Sequence, residues 1–311
     1  MLPERVLILY YLLEFGRLTA GRLPAFISYP IASLVGDTVF YAWSRGRRNM
    51  IKSIAAVLYK EGTSPEVKRT ARQAMQSFCK SIVDMLRYAY PRKGMLERDV
   101  DIIGKENLDK ALDEGKGVII VSLHIGSLEL GMRALSMAGY PVNAIVNNLE
   151  SGQTDKFIQK PRARSGIKLV SAGNGILRML DILKRNEVIA LMIDSPGNGK
   201  GMLVRLGNKL AIAPTGVAAM ALRTGAKILP CSLTRSTNTR FYGIIGKPIQ
   251  FSAAGDLAQD ARELTQRVMQ AMEEMARVFA DQWYIFHPLI KDDIIDPGQL
   301  PEKASRADAV Q

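Results

Sequence analysis

Cysteine and histidine are scarce in this 311-residue chain, with two of each. Cys79 and Cys231 are too few and too far apart for a disulfide framework or a zinc site, which suits a cytosol-facing location. His124 and His287 are distant in sequence and form no H-x-x-x-H, so a histidine-based metal site has no support. Aromatics make up 7% of the chain, and no basic segment carries them at the spacing of a base-stacking platform. Nucleic acid is therefore not the expected partner. A G-x-S-x-G nucleophile turn is missing, which argues against a serine hydrolase. The glycine-rich GNGKG at 197–201 ends in Gly201 where a phosphate loop needs Ser or Thr, and AGNGIL at 172–177 lacks the third glycine of a dinucleotide fingerprint. Long apolar runs are lacking too. VLILYYLL at 6–13 is followed by Glu14 and Arg17 rather than a small-residue cleavage site, so no secretory leader is expected. LPAFISYPIASLV at 23–35 carries Pro24 and Pro30 and falls short of the roughly 18 apolar residues wanted for a span.

What is present is positive charge. The net charge is +12, which points to an anionic partner: a membrane surface or an acidic carrier once nucleic acid is set aside. Residues 1–60 hold eight basic residues against Glu4, Glu14 and Asp37, beside the two apolar patches. An anionic leaflet attracts such a segment, and short apolar pieces separated by charge suit an element lying in one leaflet. A buried helical hairpin accounts for the same apolar residues equally well.

Thr63-Ser64-Pro65-Glu66 marks a helix start. Val67, Ala71, Ala74, Met75, Phe78, Ile82 and Met85 follow at helical spacing as a core stripe. From Val100 the pattern changes to short apolar runs alternating with helical segments. Strands are expected at 100–104, 118–124, 142–147, 167–170, 188–194 and 227–233. Helices are expected at 106–117, 128–139, 152–165, 175–185, 215–225 and 257–281, and a hairpin at 201–214 turning near Gly207-Asn208. This is an α/β chain with a mostly parallel central sheet flanked by helices. Three regions follow: an N-terminal helical, membrane-associating region at 1–98, an α/β domain at 99–290, and a polar flexible tail at 291–311.

The most informative stretch is VIIVSLHIGSLEL at 118–130. An apolar strand presents His124, and Glu129 follows five residues later. On one helix these would sit roughly 140° apart. With His124 closing a strand and Glu129 in the first turn of the next helix, the carboxylate can swing back to the imidazole. Gly126 suits a tight turn and Ser127 a helix N-cap. Such a base, at the carboxyl end of a strand, lies where open α/β sheets bind ligands.

His124-Ile-Gly-Ser-Leu-Glu129 resembles the HX4(D/E) signature of glycerolipid and lysophospholipid acyltransferases. The surrounding sequence is most similar to the branch that contains the lipid A biosynthesis (lauroyl/myristoyl-type) acyltransferases and phosphatidylinositol mannoside acyltransferase. Further blocks carry the likeness over roughly residues 45–290. RRNMIKSIAAVLYKEGTSPEVKRTARQAMQSFCKSIVDMLR (47–87) resembles the helical N-terminal region. KPRARSG (160–166) resembles the arginine-bearing segment, VIALMIDSPGNGKG (188–201) the strand ending in aspartate, and LVRLGNKLAIAPTGVAAMALRTGAKILPCSL (203–233) the hairpin, helix and proline-bearing strand. QWYIFHPLI (282–290) resembles the closing tryptophan segment, which makes His287 structural.

The resemblance implies transfer of a fatty acyl chain from acyl carrier protein or acyl-CoA to a hydroxyl of a membrane lipid or glycolipid, with neither metal nor cofactor. The place would be the cytoplasmic face of the bacterial inner membrane, with a monotopic or single N-terminal anchor. His124 would be the general base and Glu129 the acid that orients it. The amides near Gly126 and Ser127 would serve the oxyanion. Arg164 best matches the family arginine and would bind a phosphate, with Arg162 and Lys160 as further candidates. Asp194 would shape the acceptor pocket or hold a neighbouring base; its alternative is a turn-former. Some mannoside-type members carry a functional glutamate in the hairpin, where this chain has Val204 beside Arg205, which weighs against a mannoside acceptor. Two alternatives stand beside this reading: a lysophosphatidate-type phospholipid acyltransferase, and a non-catalytic lipid- or membrane-binding protein of the same fold.

Overall fold

A computed structural model of the chain describes residues 16, 19, 23–89, 94–146, 159–171, 175–195, 201–237 and 239–291. The apolar run at 6–13 and the tail from 292 lie outside these residues, as does most of the helix expected at 152–165; within it, residues 159–164 are helical.

From residue 23 onward the described chain opens with three long helices: α1 (Ala25–Ala42), α2 (Ser44–Val57) and α3 (Pro65–Arg87). The second apolar patch does not fall short of a span as expected: it continues past residue 35 in one helix that is long and apolar enough, by length and composition, to cross a membrane. Pro24 occupies the N-cap of α1, where no amide is needed, and the helix runs on through Pro30 for 18 residues. One side of α1, with Tyr29 and Ala32, packs against Cys79 and Val83 of α3. Its other side leaves Phe26, Ile31, Leu34, Val35 and Tyr41 exposed, so a fully buried hairpin is not what forms. Helix α3 begins at Pro65 as expected and buries Val67, Ala71, Ala74 and Met75.

The alternating part opens with α4 (Met95–Asp99), β1 (Val100–Ile103), α5 (Lys105–Asp113), β2 (Val118–Ser122), α6 (Leu128–Met137), β3 (Val142–Val146), β4 (Lys168–Ser171), α7 (Gly175–Lys184) and β5 (Val188–Met192). Next come the hairpin β6 (Met202–Leu206) and β7 (Lys209–Ala213), then α8 (Gly216–Thr224), β8 (Lys227–Arg235), β9 (Phe241–Ile245), α9 (Leu257–Val278) and β10 (Ile290–Lys291). Leu206 pairs with Lys209, so the hairpin turns on Gly207-Asn208 as its sequence predicts. Gly207 has φ +61°, and an added Cβ would lie 2.0 Å from the Ala56 carbonyl oxygen.

Seven strands form the main sheet in the order β1-β9-β8-β2-β5-β3-β4, parallel throughout except at β8–β9. β2 is buried along its whole length because it sits in the middle with helices on both faces. The larger core joins Ile119, Val121 and Ile189 of the sheet to Met50 and Ile54 of α2, Met75 of α3 and Met269 of α9. The N-terminal helices and the α/β part thus share one core. On the opposite face, Leu108 of α5 and Leu135 of α6 pack on Val118, Ile120 and Val188.

β2 and β5 are neighbours in register, Ser122 opposite Met192. Two residues beyond each strand end, in the same direction, stand His124 and Asp194.

Candidate active site

The ladder between β2 and β5 continues one bond further, from the Ile193 amide to the Ser122 carbonyl at 3.0 Å. Beyond it, Asp194 turns inward and is fully buried. Its Oδ1 lies 2.7 Å from His124 Nδ1, and its Oδ2 accepts the His124 amide at 2.7 Å and the Trp283 indole N–H at 3.0 Å. Three donors therefore surround one carboxylate, the environment that keeps a buried acid ionised. Burial alone would raise its pKa. The charge on His124 and these hydrogen bonds outweigh that and hold Asp194 below the usual carboxylate range. The same balance acts on His124: burial pushes the imidazole down, while the charge of Asp194 and its hydrogen bond bring it above its ordinary value. The His124 side chain keeps 33% exposure, whereas Asp194 has none. With Nδ1 committed to Asp194, Nε2 is the ring atom left for chemistry. It makes no hydrogen bond among the described residues.

Glu129 does not take the place the five-residue spacing offered it. It lies in the first turn of α6, as expected, but its carboxylate faces two guanidiniums. Arg162 approaches with Nε at 3.0 and 2.8 Å from the two oxygens and Nη2 at 2.7 Å from Oε2. Arg133, one turn further along α6 and fully buried, places Nη2 3.1 Å from Oε1. Arg133 is itself fixed by the carbonyls of Tyr88 and Ala89, at 3.0 and 2.9 Å from Nη1. Parallel-strand neighbours decided the matter: the register delivers Asp194 to the imidazole, and Glu129 is left to the arginines.

Among the three basic candidates, Arg162 is the one on the motif carboxylate. Arg164 and Lys160 are exposed on the same segment.

The turn between His124 and α6 also departs from expectation. Gly126 has φ +66°, and a Cβ there would lie 2.0 Å from the Leu233 carbonyl oxygen, so only glycine fits. Ser127 occupies the N-cap of α6, yet its side chain makes no capping bond and reaches Asp84 of α3 instead. The two amides expected to serve the oxyanion are occupied. Gly126 N–H donates to the Gln282 carbonyl at 3.0 Å and Ser127 N–H to the Leu233 carbonyl at 2.9 Å. His287 is structural in geometry, with Nε2 2.6 Å from the Asp194 carbonyl oxygen.

Beneath α6 runs a narrow apolar cavity whose walls include Leu128, Met132 and Leu135 of the helix, and Ser122, Leu191 and Leu233 of the sheet. Sequence reading found neither this cavity nor Arg133, Asp84 and the indole of Trp283, because each depends on which elements become neighbours. Among the described residues no group of three or more His, Cys, Asp or Glu could hold a metal ion.

With this geometry in hand, comparison with known proteins is direct. Residues 3–292 match the family described as bacterial lipid A biosynthesis acyltransferase. A curated relative, phosphatidylinositol mannoside acyltransferase of Mycolicibacterium smegmatis, is 20% identical over 229 residues, covering 72% of this chain and 73% of its own length.

Proposed function

We infer, for a chain that belongs to the bacterial lipid A biosynthesis acyltransferase family and is thus an acyltransferase, that it moves a fatty acyl group from acyl carrier protein or acyl-CoA to a hydroxyl of a membrane lipid or glycolipid. The observation that carries the chemical part is the 2.7 Å contact between His124 Nδ1 and Asp194. An imidazole held through Nδ1 by a buried anion presents Nε2 as a base.

In the proposed step, Nε2 takes the proton of the acceptor hydroxyl while its oxygen attacks the thioester carbonyl. The tetrahedral adduct collapses with cleavage of the C–S bond. The departing thiolate takes the proton back from the imidazolium, leaving an ester and a free thiol. Asp194 fixes the tautomer and stabilises the transient positive charge. This role, first offered to Glu129, passes to Asp194 on geometry. Glu129, itself fixed by Arg133, instead holds the Arg162 guanidinium, and we assign to Arg162 the anionic group of a substrate, with Arg164 and Lys160 adding to the field around it. The apolar cavity under α6 suits the acyl chain. No metal or further cofactor enters the step.

Val204 is buried in β6, so the hairpin position that bears a glutamate in some mannoside-type members offers no carboxylate here. We therefore favour an acceptor other than a mannoside.

Lipid mass spectrometry on a deletion strain complemented with wild type or His124→Ala tests the reading. One lipid class should lose one acyl chain in the deletion, return with wild type, and stay lost with a folded His124→Ala protein. Normal acylation by that variant would remove the imidazole from the mechanism. The expected loss in rate is at least roughly 10²–10⁴-fold, the range for general-base catalysis.

The exposed apolar side of α1, followed by Arg45, Arg47 and Arg48, supports attachment to an anionic membrane, which we place at the cytoplasmic face of the inner membrane. Detergent should release the protein better than salt, since salt screens only the charge contribution. Complete recovery in the soluble fraction at low salt would rule out the attachment.

A further inference from the structure

Below the turn that carries His124 lies a second charged centre that the step above does not use. Asp84, on α3, is buried to 1% exposure. It accepts a hydrogen bond from Tyr29 Oη of α1 at 2.8 Å and from Ser127 Oγ, and it pairs with Arg235 at the end of β8. The Arg235 guanidinium lies between the rings of Tyr29 and Phe241, at 4.5 and 4.8 Å from their centroids. Its Nε and Nη1 have no hydrogen-bond partner among the described residues. The backbone of Arg235 is clamped by the Gln282 side chain, through bonds of 2.8 and 3.0 Å. Gln282 in turn accepts the Gly126 amide. One turn before Asp84, Ser81 Oγ donates to the Gly126 carbonyl at 3.1 Å. Gly126 is thus held at its amide and its carbonyl and Ser127 at its hydroxyl, and these ties lead back to Asp84, Arg235 or a residue beside them.

Stability does not explain such a pair. Well-packed apolar groups of the same volume commonly serve a fold as well or better than a buried ion pair. A fixed anion at the start of α6 does something apolar groups cannot. It holds the Ser127 hydroxyl at one point, and with it the turn between His124 and Glu129. Displacing a reacting group by about 1 Å lowers a rate by about 100-fold.

We propose that the Asp84–Arg235 pair, with Tyr29 and Ser127 as its hydrogen-bonded arms, positions the His124–Glu129 turn for acyl transfer. The pair touches no substrate and acts through Ser127. The proposal rests on His124 being the base.

The test replaces the centre by apolar groups of similar size in one protein, Tyr29→Phe/Asp84→Leu/Arg235→Met, with Ser127→Ala as a separate variant. Transfer is followed from a radiolabelled palmitoyl thioester of CoA or acyl carrier protein to a lipid extract of the source membrane. His124→Ala is run in the same assay. The triple variant is expected to melt cooperatively within a few degrees of wild type while kcat per folded molecule falls about 10–100-fold, with KM for the thioester held within about twofold. Ser127→Ala should show the same split to a smaller degree. A folded triple variant with wild-type kcat overturns the proposal, and so does a wild-type kcat in Ser127→Ala if the triple variant fails to fold. Full transfer by His124→Ala would instead sink the base itself, a result separable from either of these.

Discussion

Two carboxylates flank the same turn and live in different surroundings. Asp194 stands behind the sheet with no exposure, facing one imidazole, one indole and one amide. Glu129 stands at the open side of α6 with 14% of its side chain exposed, facing two guanidiniums. An anion closed in with a neutral base raises that base's affinity for a proton. One placed between two arginines fixes their planes and leaves a net positive site. In the proposed mechanism the first arrangement serves proton transfer and the second holds an anion, and His124 and Glu129 bring the two together across one turn.

The difference is breakable by substitution, and Asp194→Asn should produce the largest effect. An amide can hold the ring in the wrong tautomer and cannot stabilise the imidazolium, so kcat should fall by roughly 10²–10⁴-fold. The pH profile gives a second reading. His124 is raised by the charge of Asp194 against the downward push of burial. A neutral base is available only above that raised value, so the wild-type rate should decline as pH falls through a point above the ordinary imidazole pKa. Removing the charge leaves burial alone, and the limb should move to lower pH in Asp194→Asn. A limb that stays in place would mean that Asp194 is not what sets the base.

Glu129→Gln should act more weakly and differently. Its acid limb should coincide with that of wild type, while KM for a phosphate-bearing substrate rises by about tenfold as Arg162 loses its bidentate partner. Arg162→Lys should give the same change at a lower level, several-fold, because an ammonium keeps the charge but not the fork. If Glu129→Gln shifts the limb and leaves KM alone, the two carboxylates must exchange roles.

Much of the fold was legible because period and punctuation were strong. Pro65 started α3, Gly207-Asn208 turned the hairpin, and buried apolar runs marked β2 and β5. In the candidate site the sequence singled out His124, Glu129 and Asp194 one by one, but paired the imidazole with Glu129 where the fold brings it Asp194. His124 stood out as one of two histidines, and Asp194 stood out by resemblance, but strand order is not a local property. β3 and β4 intervene between β2 and β5 in sequence, while in the sheet these two are adjacent, with Ser122 opposite Met192. Counting two residues past each strand end would have joined His124 to Asp194 had that adjacency been known. Glu129 was chosen because it lies close in sequence and completes the HX4(D/E) signature. Ser127 misled in a similar way: its type and position promised an N-cap, and Asp84, 43 residues earlier in the chain, took the hydroxyl instead. The patch at 23–35 erred the other way: counted as too short for a span, it extends through Pro30 into an 18-residue helix.

Both histidines of the chain converge on one aspartate, His124 through its ring nitrogen and amide and His287 at its carbonyl. The protein therefore carries native spectroscopic probes. Labelling the imidazole nitrogens would give a nuclear magnetic resonance spectrum with two side-chain spin systems, one at the carboxylate of Asp194 and one at its backbone. Titrating the His124 signal would follow the buried anion, with no engineered label and no competing histidine from elsewhere in the chain.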